Sequence, residues 1–323
     1  MKTTLSKAFG VELLAMFVVV YFSAGIVCVN FQTFSVADRV VPASLQKAKS
    51  KAASKDEAND PQQKQEGKVS SRPAPGTMVL YGNQPGLLGI ALAQGLTYAV
   101  MLAVTMHLSG GYLNPAITIM LWVYQRLGSR RALVLLGAQF VGAFLAGLCI
   151  RASFSEEILT AARYGTPHLN PNAYPEINWA SLFGGASIEL VLTFFLVFAI
   201  FGAFLRKADW PESTEEKPKP ESKDELLRTV DARIAALMAG LALTVCVLLA
   251  FPSTGAATNP ARWFGTVLFE GPADAAQRGR FSDMFVYLGG PVVGALMAGF
   301  VYFWWLTPEV DEGQSRKKSP KKK

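Results

Sequence analysis

Charge is scarce in this chain. Of its 323 residues, 17% are charged and 51% are hydrophobic, whereas a soluble globular protein carries about 25% charge. So little charge points to a surface that partly faces lipid, and long stretches of the sequence hold almost none of it. Cysteine is also sparse. Cys28, Cys149 and Cys246 each sit inside an apolar run, with neither a disulfide framework nor a metal spacing, so they read as small buried hydrophobes. No acid–base pair or nucleophile constellation is present, which points away from an enzyme, and no metal or cofactor is expected. The net charge of +7 comes without an aromatic–basic groove pattern, so nucleic acid is not an expected partner. Basic loops and a basic tail facing an anionic lipid leaflet account for it.

Long apolar runs are what the sequence does have. Six are long enough to cross a hydrocarbon core, which takes about 20 helical residues: 9–31, 86–107, 131–151, 181–204, 231–251 and 284–306. The first is too long for a signal peptide, lacks a small-residue cleavage pattern and contains Glu12, so it is expected to be a retained helix. Lys and Arg in the short connections, among them Lys2, Lys7, Arg126, Arg130, Arg131, Arg206 and Lys207, gather on the side of the two termini. Both termini are therefore expected on the cytoplasmic side of a cell membrane. Three segments stand apart. Residues 42–76 have hardly any large apolar side chain and are expected to be a disordered extracellular or periplasmic insertion. Residues 207–225 read as a cytoplasmic linker and 309–323 as a basic cytoplasmic tail. His107 reads as a polar group at the inner end of the second span.

The chain repeats itself. Glu12 opens an apolar run in the first span, Glu189 opens a matching run in the fourth, and each is followed by one further span and an Asn-Pro-Ala triplet. The triplets are Asn114-Pro115-Ala116 and Asn259-Pro260-Ala261. Chance would place one such triplet on the order of once per several thousand positions. Three spans per half, 9–151 and 181–306, make the second half enter the membrane from the opposite side, so the repeat is inverted. The short apolar stretch after each triplet covers roughly 13 Å, under half the hydrocarbon thickness, and is expected to be a half-helix dipping in from one face. Pro suits the first helical turn and Asn the cap. Irregular backbone at membrane depth must be held by protein or line a wet cavity, and Glu12 and Glu189 are expected to brace the two loops. The fold class expected is therefore an all-α membrane protein, with six transmembrane helices plus two re-entrant half-helices in an inverted internal repeat, over residues 1–308.

At these residues the sequence resembles the aquaporin, or major intrinsic protein, family. The resemblance takes in all six spans, both triplets, the Arg after the second and the paired Glu motifs, and leaves out the long first loop and the tails. It implies one pore per subunit, a homotetramer, and a passive channel for water, with glycerol, urea, ammonia and hydrogen peroxide as further candidate solutes and with protons and ions excluded. It also implies a four-residue constriction at Gln94, Val247, Ala256 and Arg262, a set that matches neither the water-selective nor the glycerol-conducting pattern. Small residues at helical spacing, Ala138, Gly142 and Ala146, then Gly290, Gly294 and Ala298, fit close helix packing. The alternative is a junction or adhesion protein on the same fold with low conductance, in which the long first loop makes the contact.

Overall fold

The computed structural model describes residues 4–39, 86–204, 222–270, 281 and 283–306. The segments 42–76 and 309–323 and most of 207–225 lie outside the described residues. Among those described, all regular structure is helical. In chain order the helices are α1 (Leu5–Arg39), α2 (Gly86–Thr105), the short α3 (Pro115–Val123), α4 (Ser129–Ser153) and the brief α5 (Glu156–Ala161). Then come α6 (Trp179–Phe204), α7 (Ser222–Ala250), the short α8 (Pro260–Val267) and α9 (Met284–Phe300), which winds on as a π-helical segment over Val301–Leu306.

Among the described residues six helices are long and apolar enough to cross a membrane: Leu5–Phe31, Gly86–Thr105, Ser129–Ser153, Trp179–Ala203, Ala232–Ala250 and Met284–Leu306. They match the six apolar runs to within a few residues. The helices themselves run further. α1 continues to Arg39, and α7 starts at Ser222, so residues 222–225 of the expected linker are helix. Hydropathy marks where a helix enters lipid, not where its backbone stops. After Phe31 no Gly or Pro intervenes before Pro42, and Asp224, Glu225, Leu226 and Leu227 follow Pro220 without a breaker.

The packing follows the repeat. α1 packs on α4 as α6 packs on α9, α1 on α2 as α6 on α7, and α4 on α8 as α9 on α3, while α2 and α7 meet each other across the centre. Exchanging the halves therefore maps the contacts onto themselves. Two close crossings are equivalent. A β-carbon on Gly142 would run into the backbone carbonyl of Leu13, and one on Gly294 into that of Leu190. Leu13 follows Glu12 and Leu190 follows Glu189, so these glycines set the depth at which the two carboxylates meet the interior. Leu88, Leu92, Leu96, Val100 and Val104 of α2 face outward, an apolar stripe suited to lipid.

Replacing Gly142 or Gly294 by Leu should push the paired helices apart, at a cost of about 1–3 kcal/mol of overpacking. Thermal unfolding of the detergent-solubilised protein measures it. Gly137→Ala, on the outer face of α4 where an added β-carbon meets nothing within 4 Å, should leave the melting temperature unchanged or slightly raised.

Candidate functional site

Two half-helices meet at the centre of the molecule, and each starts the same way. Asn114, extended at φ −158°, caps α3 by accepting from the Ala116 N–H at 2.9 Å, with Pro115 in the first turn. Asn259, at φ −145°, caps α8 by accepting from the Ala261 N–H at 3.0 Å, with Pro260 in the first turn. Capping consumes the carboxamide oxygen; the nitrogen crosses over. Asn114 Nδ2 donates to the Thr258 carbonyl at 2.9 Å, and Asn259 Nδ2 donates to the Leu113 carbonyl at 2.9 Å. A carboxamide nitrogen carries two protons, so after this reciprocal tie Asn114 keeps one, while Asn259 Nδ2 turns its second toward the weakly accepting Met16 Sδ at 3.9 Å.

The loops leading into the caps are left-handed at matching positions. Gly110 and Gly255 have φ of 110° and 78°, Gly111 and Ala256 have 64° and 48°, and Leu113 and Thr258 both have 49°. For residues other than glycine this conformation costs roughly 1–2 kcal/mol each, so something must hold it. Glu12 and Glu189, both fully buried, do so with the same bonds. Glu12 Oε1 accepts from Ser109 Oγ (2.7 Å) and the Tyr112 N–H (3.0 Å), and Oε2 accepts from the Leu113 N–H (3.0 Å). Glu189 Oε1 accepts from Thr254 Oγ1 (2.6 Å) and the Ala257 N–H (3.0 Å), and Oε2 from the Thr258 N–H (2.8 Å). The outer supports differ between halves. Gln139 Nε2 adds a fourth bond to Glu12 at 2.9 Å, whereas Pro291 stands three residues before Gly294 where Gln139 stands three before Gly142. The Ser109 carbonyl is held by Arg131 at 2.7 Å, and the matching Thr254 carbonyl by the Tyr287 hydroxyl at 2.6 Å.

The remaining residues singled out by sequence are spread over four elements. Gln94 on α2 is buried and turns its amide to the Ser23 carbonyl of α1 at 3.4 Å. Val247 on α7 and Ala256 in the second loop are both buried. Arg262, in the first turn of α8, is buried, and its Nη1 donates to the Gly255 carbonyl at 3.3 Å. Trp263 beside it stacks on Tyr287, ring centroids 6.0 Å apart. His107 is exposed in the turn after α2.

A second polar cluster was not visible in the sequence. The connection after α5 lies over the second loop: the Asn170 N–H donates to the Ser253 carbonyl at 2.8 Å and its side chain to the Pro252 carbonyl at 2.8 Å. This strap is pinned by His168. Its Nδ1 lies 3.0 Å from Asp283 Oδ2 at the start of α9, and its Nε2 bonds Glu270 Oε1 just beyond α8. The Leu169 N–H also donates to Asp283 (3.2 Å), and Arg163 reaches Glu270 Oε2 (3.4 Å). An imidazole whose two nitrogens both face carboxylates needs both protons. Burial draws its pKa down, but the hydrogen bonds to Asp283 and Glu270, reinforced by their charges, outweigh that and hold it above the ordinary 6.5. These groups come from three separate parts of the chain, with no motif to join them.

Because the folded-state pKa is raised, the strap's contribution to stability is complete below about pH 6.5 and is lost as the pH climbs through the raised value. The melting temperature in detergent should therefore fall with rising pH over that window, and His168→Gln should flatten the slope. Glu12→Gln turns a carboxylate oxygen into a donor facing other donors. It should cost about 1–3 kcal/mol for each N–H left unpaired, read as a lowered melting temperature.

The family model described as Major intrinsic protein matches residues 1–302. Relatives include NIP4-1 of Arabidopsis thaliana, 30% identical over 69% of this chain and 65% of its own length. Aquaporin TIP4-4 of Zea mays is 33% identical over 67% of this chain and 71% of its own. The lens fiber major intrinsic protein of Gallus gallus is 33% identical over 69% and 71%. The match thus spans just under two thirds of the Arabidopsis relative. Among solved structures, the aquaglyceroporin from Plasmodium falciparum superposes with a TM-score of 0.60, covering 94% of this chain and 98% of that one at 18% identity, a likeness of fold. With its six apolar helices, the chain is a multi-pass membrane protein that belongs to the major intrinsic protein family.

Proposed function

We propose that this protein is a passive membrane channel for water and small uncharged solutes that excludes protons and ions. The observation that carries the reading is the reciprocal tie between Asn114 and Asn259. It fixes two helix N-termini against each other at the centre of the molecule, each with about half a positive charge of dipole. A neutral solute's oxygen accepts the remaining proton of Asn114 and displaces the weak Met16 thioether contact to accept that of Asn259. A cation or hydronium arriving there sheds hydration into positive potential, a cost of several kcal/mol.

Selectivity then falls to Gln94, Val247, Ala256 and Arg262. Arg262 supplies donors and a fixed positive charge. Val247 and Ala256 are apolar walls, and the amide of Gln94 is turned to the α1 backbone. A constriction of this kind holds no aromatic ring and no histidine, so it is wider than a strict water filter. Water, ammonia, hydrogen peroxide, urea and glycerol are the candidate solutes. The distribution of Lys and Arg supports cytoplasmic termini, and family membership supports a homotetramer with one pore in each subunit.

Arg262→Val should let urea and glycerol pass severalfold faster and should weaken cation exclusion. Stopped-flow light scattering on proteoliposomes, with a parallel proton-leak assay, reads both. A solute profile identical to the wild type would remove Arg262 from the constriction.

A further inference from the structure

We propose that Tyr98 forms a second, deeper constriction, supplying the aromatic wall and a hydroxyl contact to permeating solutes that the residue set around Arg262 lacks. This rests on the channel reading above.

The placement follows from α2 and its neighbours. Tyr98 is four residues past Gln94 on the same helix face, about 6 Å further into the molecule. Gln94 points to α1, through its bond to the Ser23 carbonyl. Gly95 and Ala99 point to α7, where Gly95 and Gly240 meet backbone to backbone. Leu102, one turn beyond Tyr98, packs against Gly111 of the first re-entrant loop. Tyr98 therefore faces the cleft between α1 and α7, on the side opposite the outward stripe of α2 and directed at the loops that carry the two asparagines.

The hydroxyl adds an independent argument. Tyr98 is 2% exposed, and its phenolic oxygen has no hydrogen-bond partner among the described residues. A buried hydroxyl is costly to leave unpaired, and buried tyrosine hydroxyls normally find a partner. Enclosed among transmembrane helices and aimed at the channel centre, the Tyr98 hydroxyl can find its partner in the permeating molecules. The ring does a second job. Gln94 leaves the constriction above without a flat hydrophobic surface. A phenol one turn deeper restores one, so a solute that clears the Arg262 level meets a narrower passage lined on one side by an aromatic face.

The test is permeability of water, urea and glycerol in proteoliposomes containing the full chain. Tyr98→Ala should raise the glycerol-to-water ratio at least severalfold, while Tyr98→Phe, which keeps the ring, should leave that ratio near wild type and lower water flux. Tyr98→Cys should be labelled by methyl methanethiosulfonate, a small uncharged reagent, at one thiol more than the wild type, and that labelling should lower flux. If Tyr98→Ala folds poorly, the Phe and Cys variants decide. Unchanged ratios in Tyr98→Ala, unchanged water flux in Tyr98→Phe, or an unreactive Tyr98→Cys overturns the proposal. The underlying reading fails separately: a wild type no more permeable than empty liposomes sinks the channel itself, whereas an altered solute profile in Arg262→Val with none in Tyr98→Ala sinks only the deeper constriction.

Discussion

A backbone N–H in the middle of a bilayer has no water to bond, and the two loops that precede the half-helices each present several. Glu12 and Glu189 meet that constraint. Each carboxylate gathers one side-chain hydroxyl and two successive loop N–H groups, and each therefore fixes a stretch of left-handed backbone that would otherwise relax. The caps depend on that fixation. Only when Leu113 and Thr258 are held in place do their carbonyls meet the opposing asparagines, and only then do both helix N-termini converge. Gly142 and Gly294 belong to the same chain of dependence, since the close crossings they permit bring Glu12 and Glu189 to the depth of the loops.

Much of this was legible in the sequence because it is repeated. A glutamate in an apolar run is unusual, and two at equivalent places, each followed by an Asn-Pro-Ala, constrain topology as well as local structure. The six crossings were legible for a different reason: lipid imposes a length on apolar runs. What stayed hidden depends on contacts between distant positions. The bond from Gln94 to Ser23 joins two helices whose relative rotation no periodicity reveals. His168, Glu270 and Asp283 are polar residues at the edges of apolar stretches, as many loop residues are, and only the fold brings them together. Tyr98 reads as one more aromatic in a span until its neighbours on α2 show which way it faces. Helix ends were hidden as well, because Arg39 and Ser222 lie in polar sequence that helices tolerate and hydropathy ignores.

The strap over the second loop shows how a surface connection acquires structural weight. Residues 166–170 lie against the loop that carries Ala256, bonded to Pro252 and Ser253. His168 ties the same few residues to the far end of α8 and the start of α9. Loop, half-helix and span are thus fastened at one point by a doubly protonated imidazole between two carboxylates. The backbone near the proposed constriction is held from outside as well as from within, and the outer fastening depends on pH.

The repeat supplies a frame, and the departures from it supply direction. Counted from its own asparagine, Arg262 corresponds to Ile117, Val247 to Leu102, Gln94 to Ala239 and Tyr98 to Leu243. In each half the braces, caps and crossings are alike, yet Gln94, Tyr98 and Arg262 stand opposite purely apolar counterparts. A perfectly symmetric pore would present equal barriers at both mouths and equal chemistry along its length. In the proposed channel the charged and hydrogen-bonding side chains assigned to discriminate between solutes collect toward one end, and the counterparts toward the other end are apolar. This asymmetry leaves the scaffold intact because none of the three residues takes part in the glutamate braces or in the asparagine tie. Solute selectivity of the proposed channel can therefore change by substitution at these positions while the paired half-helices stay in place.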